Sequence, residues 1–339
     1  MMLSNIKKDP DSLSLLSILV YTSIFFLLGL LYNDAFTTLV FAFGIILLLD
    51  PIVIFFHKKL NLIISIVLAF AIISIAITLL LYFLIPTVTK QFSNFYNFMI
   101  DFFEKKQWEK YFKRPRDIQT MESILNYITP KFFEFISKTI TYITVKIPSL
   151  LSMAFYIILI SIYGIYYFPS FRSKVIYLFP ASTREKMKPF LKSLYGQVRR
   201  YVGAQVVVAT TVGILSGFGL YFAGVGYAFL LGAWAGITNL VPVIGVILAA
   251  IPMLLVGLSI GVGGVMKVIL LVIGINTFAF IWELKILGIA VKINAVAVLV
   301  AILIMGKIFG VIGVLISVPL VLYIRLLWRN FISTILQRN

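Results

Sequence analysis

Apolar residues run through most of this chain in long stretches that short polar segments separate. Six stretches have the length of one membrane-spanning helix, at about 13–32, 35–56, 61–88, 147–168, 201–223 and 262–282. At 1.5 Å of rise per residue, each is long enough as a helix to cross ~30 Å of hydrocarbon. The pattern predicts an all-α, multi-pass helical membrane protein.

Two further apolar stretches, at about 226–258 and 295–328, are too long for one span and are interrupted near their middles. A straight helix of either length would measure ~50 Å. The interrupting residues are Asn239, Pro242, Gly245 and Pro252 in the first stretch, and Gly306, Gly310, Gly313 and Pro319 in the second. Each stretch is therefore expected to form a re-entrant helical hairpin. Two thin spans in each stretch are the alternative, which charge alone does not exclude, because both arrangements leave the C-terminus on the same side of the membrane.

The two interrupted stretches resemble each other. The first contains VIGVILAAIP at 243–252 and the second VIGVLISVP at 311–319, so that Val-Ile-Gly recurs after 68 residues with a proline downstream. One span precedes each hairpin. Counting membrane crossings along the chain gives these two span-plus-hairpin repeats opposite orientations. Inverted repeats with broken helices indicate a secondary transporter whose breaks line the solute pathway.

Composition supports this class and excludes others. The chain is 61% hydrophobic and 12% charged, with a mean hydropathy of +1.08, whereas soluble domains carry about 25% charged residues. It has no cysteine and one histidine, His57, so disulfides are impossible and no metal or catalytic cluster is expected. The net charge of +17 lies mostly between apolar runs, which indicates orientation with cytoplasmic termini and not nucleic-acid binding.

Two polar segments have helical patterns of their own. The segment at 89–146 is aromatic, and Thr129 before Pro130 has the pattern of a helix N-cap, so we expect two external amphipathic helices that pack on the membrane or on each other. An external vestibule or a subunit contact is the alternative. The segment at 170–200 carries eight Lys/Arg and one acid, Glu185, and Ser182-x-x-Glu185 has the spacing of a capping box. An interfacial helix is expected there, with Pro189 shifting its start or kinking it; its basic face would be solvated, would bind anionic lipid headgroups, or would gate a pathway.

Polar side chains inside apolar spans are the candidates for function. The predicted pathway comprises Gln205, Asn239, Pro242, Gly245, Pro252, Asn276, Thr277, Gly306, Lys307, Gly310, Gly313 and Pro319. Gln205 and Asn276 would equally serve to join helices, and Asp50 is interpreted as an interfacial residue. Carboxylates are rare in the spans, which weighs against a proton-driven exchanger.

Four segments resemble the AI-2E (autoinducer-2 exporter, PerM-like permease) family along nearly the whole chain. They are LLLDPIVIFFHKKL, GQVRRYVGAQ, LLGAWAGITNLVPVIGVILAAIP and GKIFGVIGVLISVPL. The resemblance implies a homo-oligomeric permease, with a pentamer among its possible assemblies, in a prokaryotic inner membrane. Some members are assigned autoinducer-2 export and others Na⁺(Li⁺)/H⁺ antiport. The chain departs from the family at Asp50, at WELKILG (282–288) and at Ala295 in KINA (292–295).

The expected organisation has five parts: three spans (1–88), an external segment (89–146), a fourth span with the basic interfacial helix (147–200), a span with the first hairpin (201–258) and a span with the second hairpin (259–339). The expected function is export of a small polar solute by alternating access, without enzyme activity or a cofactor. Monovalent cation/proton antiport and a non-transporting membrane scaffold are the alternatives.

Overall fold

The computed structural model describes residues 10–106, 109, 115–242, 244–287 and 294–337, and all its regular elements there are helical. The α-helices are α1 Pro10–Leu31, α2 Asn33–His57, α3 Leu62–Glu104, α4 Pro115–Lys174, α5 Arg184–Phe222, α6 Ala228–Thr238, α7 Ile244–Leu258, α8 Val262–Leu287, α9 Ala295–Leu327 and α10 Ser333–Leu336. Two 3₁₀ turns, Val175–Leu178 and Ala181–Thr183, precede α5, and one π-helical turn, Trp328–Ile332, follows α9. Of the WELKILG (282–288) and KINA (292–295) departures, positions 282–287 lie in α8 and Asn294 and Ala295 lie at the start of α9, whereas 288, 292 and 293 lie outside the described residues.

Seven helical segments in the described part of the chain are long and apolar enough to cross a membrane. Their outer faces expose large apolar side chains, including Leu27 at 57%, Val67 at 60% and Leu270 at 66%. Soluble proteins rarely leave contiguous apolar surface of this kind in contact with water. The predicted fold class, a multi-pass helical membrane protein, is therefore confirmed.

The described residues form two compact units. The first lies within Met1–Ile73, Ser152–Ala204 and Ile286–Asn339, and the second within Ser74–Leu151 and Gln205–Lys285. One core cluster of the first unit joins Phe36 of α2 to Met305, Phe309 and Ile312 of α9. The core of the second unit gathers buried residues of α3, α5, α6, α7 and α8, among them Met99, Val212, Leu231, Met253 and Val268.

Two helices run further than the apolar pattern indicates. Helix α3 continues from its apolar start through to Glu104, and α4 is one helix of 60 residues. The predicted helix start at Thr129–Pro130 is wrong, because both residues lie inside α4. A proline removes only one backbone donor, so helical sequence on both sides of Pro130 carries the helix through it.

The basic interfacial helix and the fifth span are also one helix, α5, of 39 residues. It begins at Arg184 instead of after a capping box at Ser182, because the 3₁₀ turn Ala181–Thr183 comes first. The Thr183 hydroxyl donates to the Pro180 carbonyl within this turn, at 2.9 Å. Pro189 lies inside α5, in its second turn.

The aromatic residues in the last turns of α3 pack onto the start of α6. Phe95, Met99 and Phe102 are at most 4% exposed and lie in the same core cluster as α6 residues. Gln91 Oε1 accepts a hydrogen bond from the Leu230 backbone N–H at 2.9 Å, which satisfies one of the donors that the first turn of a helix leaves unpaired. This part of α3 therefore caps α6 in addition to any membrane contact.

Helices α5 and α6 meet along a glycine seam, formed by Gly213 and Gly217 on α5 and by Gly232 and Gly236 on α6. A Cβ at Gly232 would lie 2.6 Å from the Gly217 Cα, and one at Gly213 would lie 3.2 Å from the Gly236 Cα. Small residues four apart let two membrane helices bring their backbones together. The seam fixes α6 against α5.

Gly232→Ala is expected to destabilise the protein by about 1–3 kcal/mol, because backbone atoms must move to admit the new methyl group. Gly274→Ala in α8 is the matched control, since a Cβ there meets nothing within 4 Å and alanine favours a helix. The melting temperature in detergent micelles is measured for both variants. Equal melting temperatures would contradict the close approach at Gly232.

Candidate functional site

A short turn connects α6 to α7, and its backbone groups bond locally. The Asn239 N–H donates to the Ala235 carbonyl at 3.0 Å, and the Val241 N–H donates to the Thr238 carbonyl at 2.9 Å. Pro242, which has no N–H to satisfy, follows the helix end, where prolines are common. The turn thus meets much of its own hydrogen-bonding demand.

Helices α6 and α7 form an antiparallel pair. Three contacts link positions progressively further from the turn: Thr238 with Gly245, Trp234 with Leu248, and Gly226 with Val256. The middle contact is a hydrogen bond from Trp234 Nε1 to the Leu248 carbonyl, 2.9 Å long. As one partner moves back along the chain, the other moves forward, which is the geometry of a helical hairpin.

Gly245 is the close-contact point of this hairpin. A Cβ at that position would overlap the Thr238 carbonyl oxygen, so only glycine permits the approach. The two helices have 11 and 15 residues, which corresponds to ~16 and ~22 Å. Neither reaches the ~30 Å of a hydrocarbon core alone.

Three side-chain amides meet at the turn of this hairpin. Gln205 Nε2 of α5 donates to the Asn239 carbonyl at 2.6 Å, which satisfies a carbonyl at the end of α6. The Asn239 Nδ2 lies 3.4 Å from the Asn276 Oδ1 of α8, and the Asn276 Nδ2 donates to the Val272 carbonyl at 2.8 Å. These three residues form what we term the amide cluster.

The amide cluster is neutral and only partly enclosed. Gln205 is 8% exposed, whereas Asn239 and Asn276 are half-buried. Amides provide both donors and acceptors, so the cluster suits a polar solute or a desolvated monovalent cation better than a charged organic anion. The neighbouring Thr277 is exposed.

Helix α9 contains the second break, at Gly310. This residue has φ 60° and ψ −138°, a conformation foreign to a helix, and glycine is the residue that adopts positive φ without strain. A Cβ at Gly313 would overlap the Met305 carbonyl oxygen, and one at Gly306 would lie 3.0 Å from Val314 Cγ2. The chain therefore turns back on itself at Gly310.

Five predicted break residues lie inside helices. Gly245 is the second residue of α7 and Pro252 lies further along it, and Gly306, Gly313 and Pro319 lie within the helical parts of α9 on either side of Gly310. In the second stretch the chain breaks at Gly310 alone, because only that residue leaves the helical φ/ψ region. Gly306 and Gly313 serve close packing instead.

The predicted pathway residues fall into two groups. Gln205, Asn239 and Asn276 lie together in the second unit, as described above. Gly306, Lys307, Gly310, Gly313 and Pro319 belong to the first unit, where the Lys307 side chain is exposed one turn before the break.

A charged cluster in the first unit went unrecognised in the sequence. Asp50 of α2 is 6% exposed, and its Oδ2 accepts hydrogen bonds from the Arg199 Nη1 at 2.7 Å and the Tyr195 hydroxyl at 2.6 Å, both on α5. Among the residues whose burial is described, it is the only charged one that is buried. One feature of the sequence could have pointed to this cluster: a carboxylate seven residues before the end of an apolar helix, in a chain with few acids.

No group of histidines and carboxylates in the described residues is arranged to hold a metal ion. The polar groups described above are neutral amides, backbone carbonyls at helix breaks and one ion pair whose carboxylate is buried.

Comparison with known proteins indicates a membrane transporter, the class that the sequence predicts. A model of AI-2E family transporters matches residues 13–331. A candidate transport protein of Thermotoga maritima is 29% identical over 319 residues, which cover 94% of each chain. A second one from that organism is 31% identical over 62% of this chain and 66% of its own, and YrrI of Bacillus subtilis, also named as a candidate transport protein, is 27% identical over 48% and 46%.

The ion pair between Asp50 and Arg199 is expected to respond asymmetrically to mutation. Their side chains are 9% and 28% exposed, so Arg199→Gln leaves a buried carboxylate without its charged partner and with only the Tyr195 hydroxyl, at a cost of about 3–5 kcal/mol. Asp50→Asn leaves an arginine that water still reaches, and should cost less. Unfolding in detergent micelles measures both.

The double variant Asp50→Asn/Arg199→Gln is the control. It should be more stable than Arg199→Gln alone, because no unpaired charge remains buried. Strictly additive losses would show that the two side chains do not interact.

Proposed function

Since this chain belongs to the AI-2E transporter family, we propose that it exports a small polar solute of the autoinducer-2 type by alternating access. The activity is transport, without chemical change to the solute. The proposed setting is a prokaryotic inner membrane, with both termini in the cytoplasm and the chain in a homo-oligomer.

The amide cluster is the observation that carries this proposal. It places donors and acceptors at a helix break, and its members come from three elements: α5, the α6–α7 turn and α8. Irregular backbone in a membrane is tolerated where protein or a water-filled cavity surrounds it. A small hydroxylated solute would exchange its water for these amides.

The alternating-access mechanism rests on the two turn-backs. Gly245 and Gly313 end the two copies of Val-Ile-Gly, and each packs against a backbone carbonyl from the preceding helical segment. Equivalent glycines with equivalent contacts support an internal repeat. Paired broken helices in oppositely oriented repeats are the arrangement through which secondary transporters expose a site to each side in turn.

Cation/proton antiport is the second candidate. The buried Asp50 favours it, because carboxylates inside membrane helices commonly carry protons or cations. The pairing of Asp50 with Arg199 at 2.7 Å weighs against it, since a cation would have to displace the guanidinium. The non-transporting scaffold is the outcome left if both activities are absent.

Transport in proteoliposomes separates these candidates. We expect labelled furanone to leave vesicles that contain the protein faster than protein-free vesicles. Asn276→Leu should slow this efflux by about tenfold, the effect of losing one good hydrogen bond to the solute, while Thr210→Val on α5, whose hydroxyl bonds only the Val206 carbonyl of its own helix, should not. A pH-dye response to Na⁺ or Li⁺ without furanone efflux would establish antiport instead.

Thiol labelling tests the two turn-backs directly, because the chain has no cysteine of its own. Leu240→Cys and Ile308→Cys, beside the two turns, should react with a membrane-impermeant reagent, the first from outside and the second from inside. Gly245 itself is unsuitable, since any Cβ there meets the Thr238 carbonyl. Ile247→Cys and Leu270→Cys, 60% and 66% exposed and expected to face lipid, are the controls that should stay unlabelled.

A further inference from the structure

The segment at 170–200, which joins α4 to the first turns of α5, concentrates positive charge. It holds eight Lys/Arg and a single acid, Glu185. Within it, Arg199 is already paired with Asp50. The remaining positive charge is in large excess over the carboxylate available to balance it.

The start of α5 is amphipathic, which determines where this charge points. Met187 and Phe190 are 0% and 3% exposed and pack in a core cluster with Leu326 and Phe331. Beside this buried face lie Arg184, Lys188 and Lys192, spaced four residues apart, and we term these three residues the basic stripe. Lys188 and Lys192 are exposed, and Arg184 is half-buried.

The basic stripe is electrostatically uncompensated. None of its three members forms an ion pair with a residue in the described part of the chain. Like charges four residues apart on a helix repel and destabilise it. An anion bound along the stripe would remove that repulsion.

Apolar and aromatic surface lies next to the basic stripe. The Arg184 guanidinium lies 5.0 Å from the centre of the Tyr177 ring, and its Nε donates to the Phe179 carbonyl at 3.0 Å. Tyr177 and Leu178 are 66% and 58% exposed. Tyrosine beside lysine and arginine at the end of a membrane helix is typical of the headgroup region of a bilayer.

The turn that presents this surface is held in place. The Tyr21 hydroxyl of α1 donates to the Leu178 carbonyl at 2.6 Å, and Thr183 closes the following turn through its bond to Pro180. Arg184 is fixed by its bond to the Phe179 carbonyl, while the exposed Lys188 and Lys192 extend outward. An anionic headgroup therefore meets a partly preorganised site.

We propose that the basic stripe, together with the Tyr177–Leu178 turn, binds the phosphate of anionic phospholipid headgroups. The lysine and arginine side chains contact the phosphate oxygens, and Tyr177 and Leu178 contact the glycerol and upper acyl region. Clusters of basic residues next to a membrane helix recognise anionic lipids in this way. This surface is independent of the proposed transport site.

The test uses the full-length protein in neutral detergent micelles, titrated with phosphatidylglycerol or with phosphatidylcholine. Phosphatidylglycerol is expected to raise the melting temperature, and phosphatidylcholine to leave it unchanged. Lys188→Gln/Lys192→Gln should weaken the phosphatidylglycerol effect by about tenfold in half-saturating lipid concentration. High salt should weaken the effect in the unmodified protein.

Lys58→Gln/Lys59→Gln is the matched control. It removes the same charge from another exposed basic turn, and it should keep the unmodified response. If both double variants lost the phosphatidylglycerol effect equally, the effect would depend on net charge alone and the proposal would be overturned. An equal rise in melting temperature with both lipids would also overturn it.

The melting temperature without added lipid shows whether the stripe variant is folded. It should equal or exceed that of the unmodified protein, because the variant relieves repulsion along α5. If it does not, Lys192→Gln alone provides a milder test, and an unchanged phosphatidylglycerol response in that variant would also contradict the proposal. None of these measurements requires transport.

Discussion

The constraint on which the structure depends is the cost of an unsatisfied backbone group in a medium without water. Continuous helices pair their backbone groups internally, and the described chain departs from continuous helix at only a few places. At both ends of α6 a side chain from another helix satisfies an unpaired backbone group. The Gln205 amide bonds the Asn239 carbonyl at the end of α6, and the Gln91 side chain accepts from the Leu230 N–H at its start. The polar residues of the second unit are therefore explained first by backbone satisfaction, and any role in transport uses groups that the fold already requires.

Close backbone approach is the second consequence of the same constraint. Helices surrounded by lipid gain little by burying apolar side chains, so packing contacts must hold them together. The glycine seam between α5 and α6 and the contact of Gly245 with Thr238 are such contacts. Together they fix the short helix α6 on two sides, and this in turn determines where Asn239 lies. The amide cluster is thus positioned by glycines that have no polar chemistry themselves.

The sequence predicted the spans and the meeting of α6 with α7, because apolar run length and strong breakers such as Asn239 and Pro242 are local signals. It also singled out Gln205, Asn239 and Asn276, since amides stand out in an apolar run. It failed where a local signal was outweighed: Pro130 and Pro252 lie inside helices, because flanking residues and packing carry the helix past one missing donor. The partnership of Asp50 with Arg199 was hidden, because 149 residues separate them and no spacing rule links positions so distant.

The buried ion pair also clarifies what the scarcity of carboxylates means. A chain with 29 Lys/Arg and 12 Asp/Glu has few acids to distribute, yet it places one where only 6% of the residue is exposed. A buried pair of this kind contributes little net stability compared with an apolar replacement, so its value lies in specifying one arrangement of α2 against α5. The same helix α5 carries the basic stripe at its start and Gln205 further along. Helix α5 thus supplies side chains to both polar clusters: Tyr195 and Arg199 bond the Asp50 carboxylate, and Gln205 satisfies the Asn239 carbonyl.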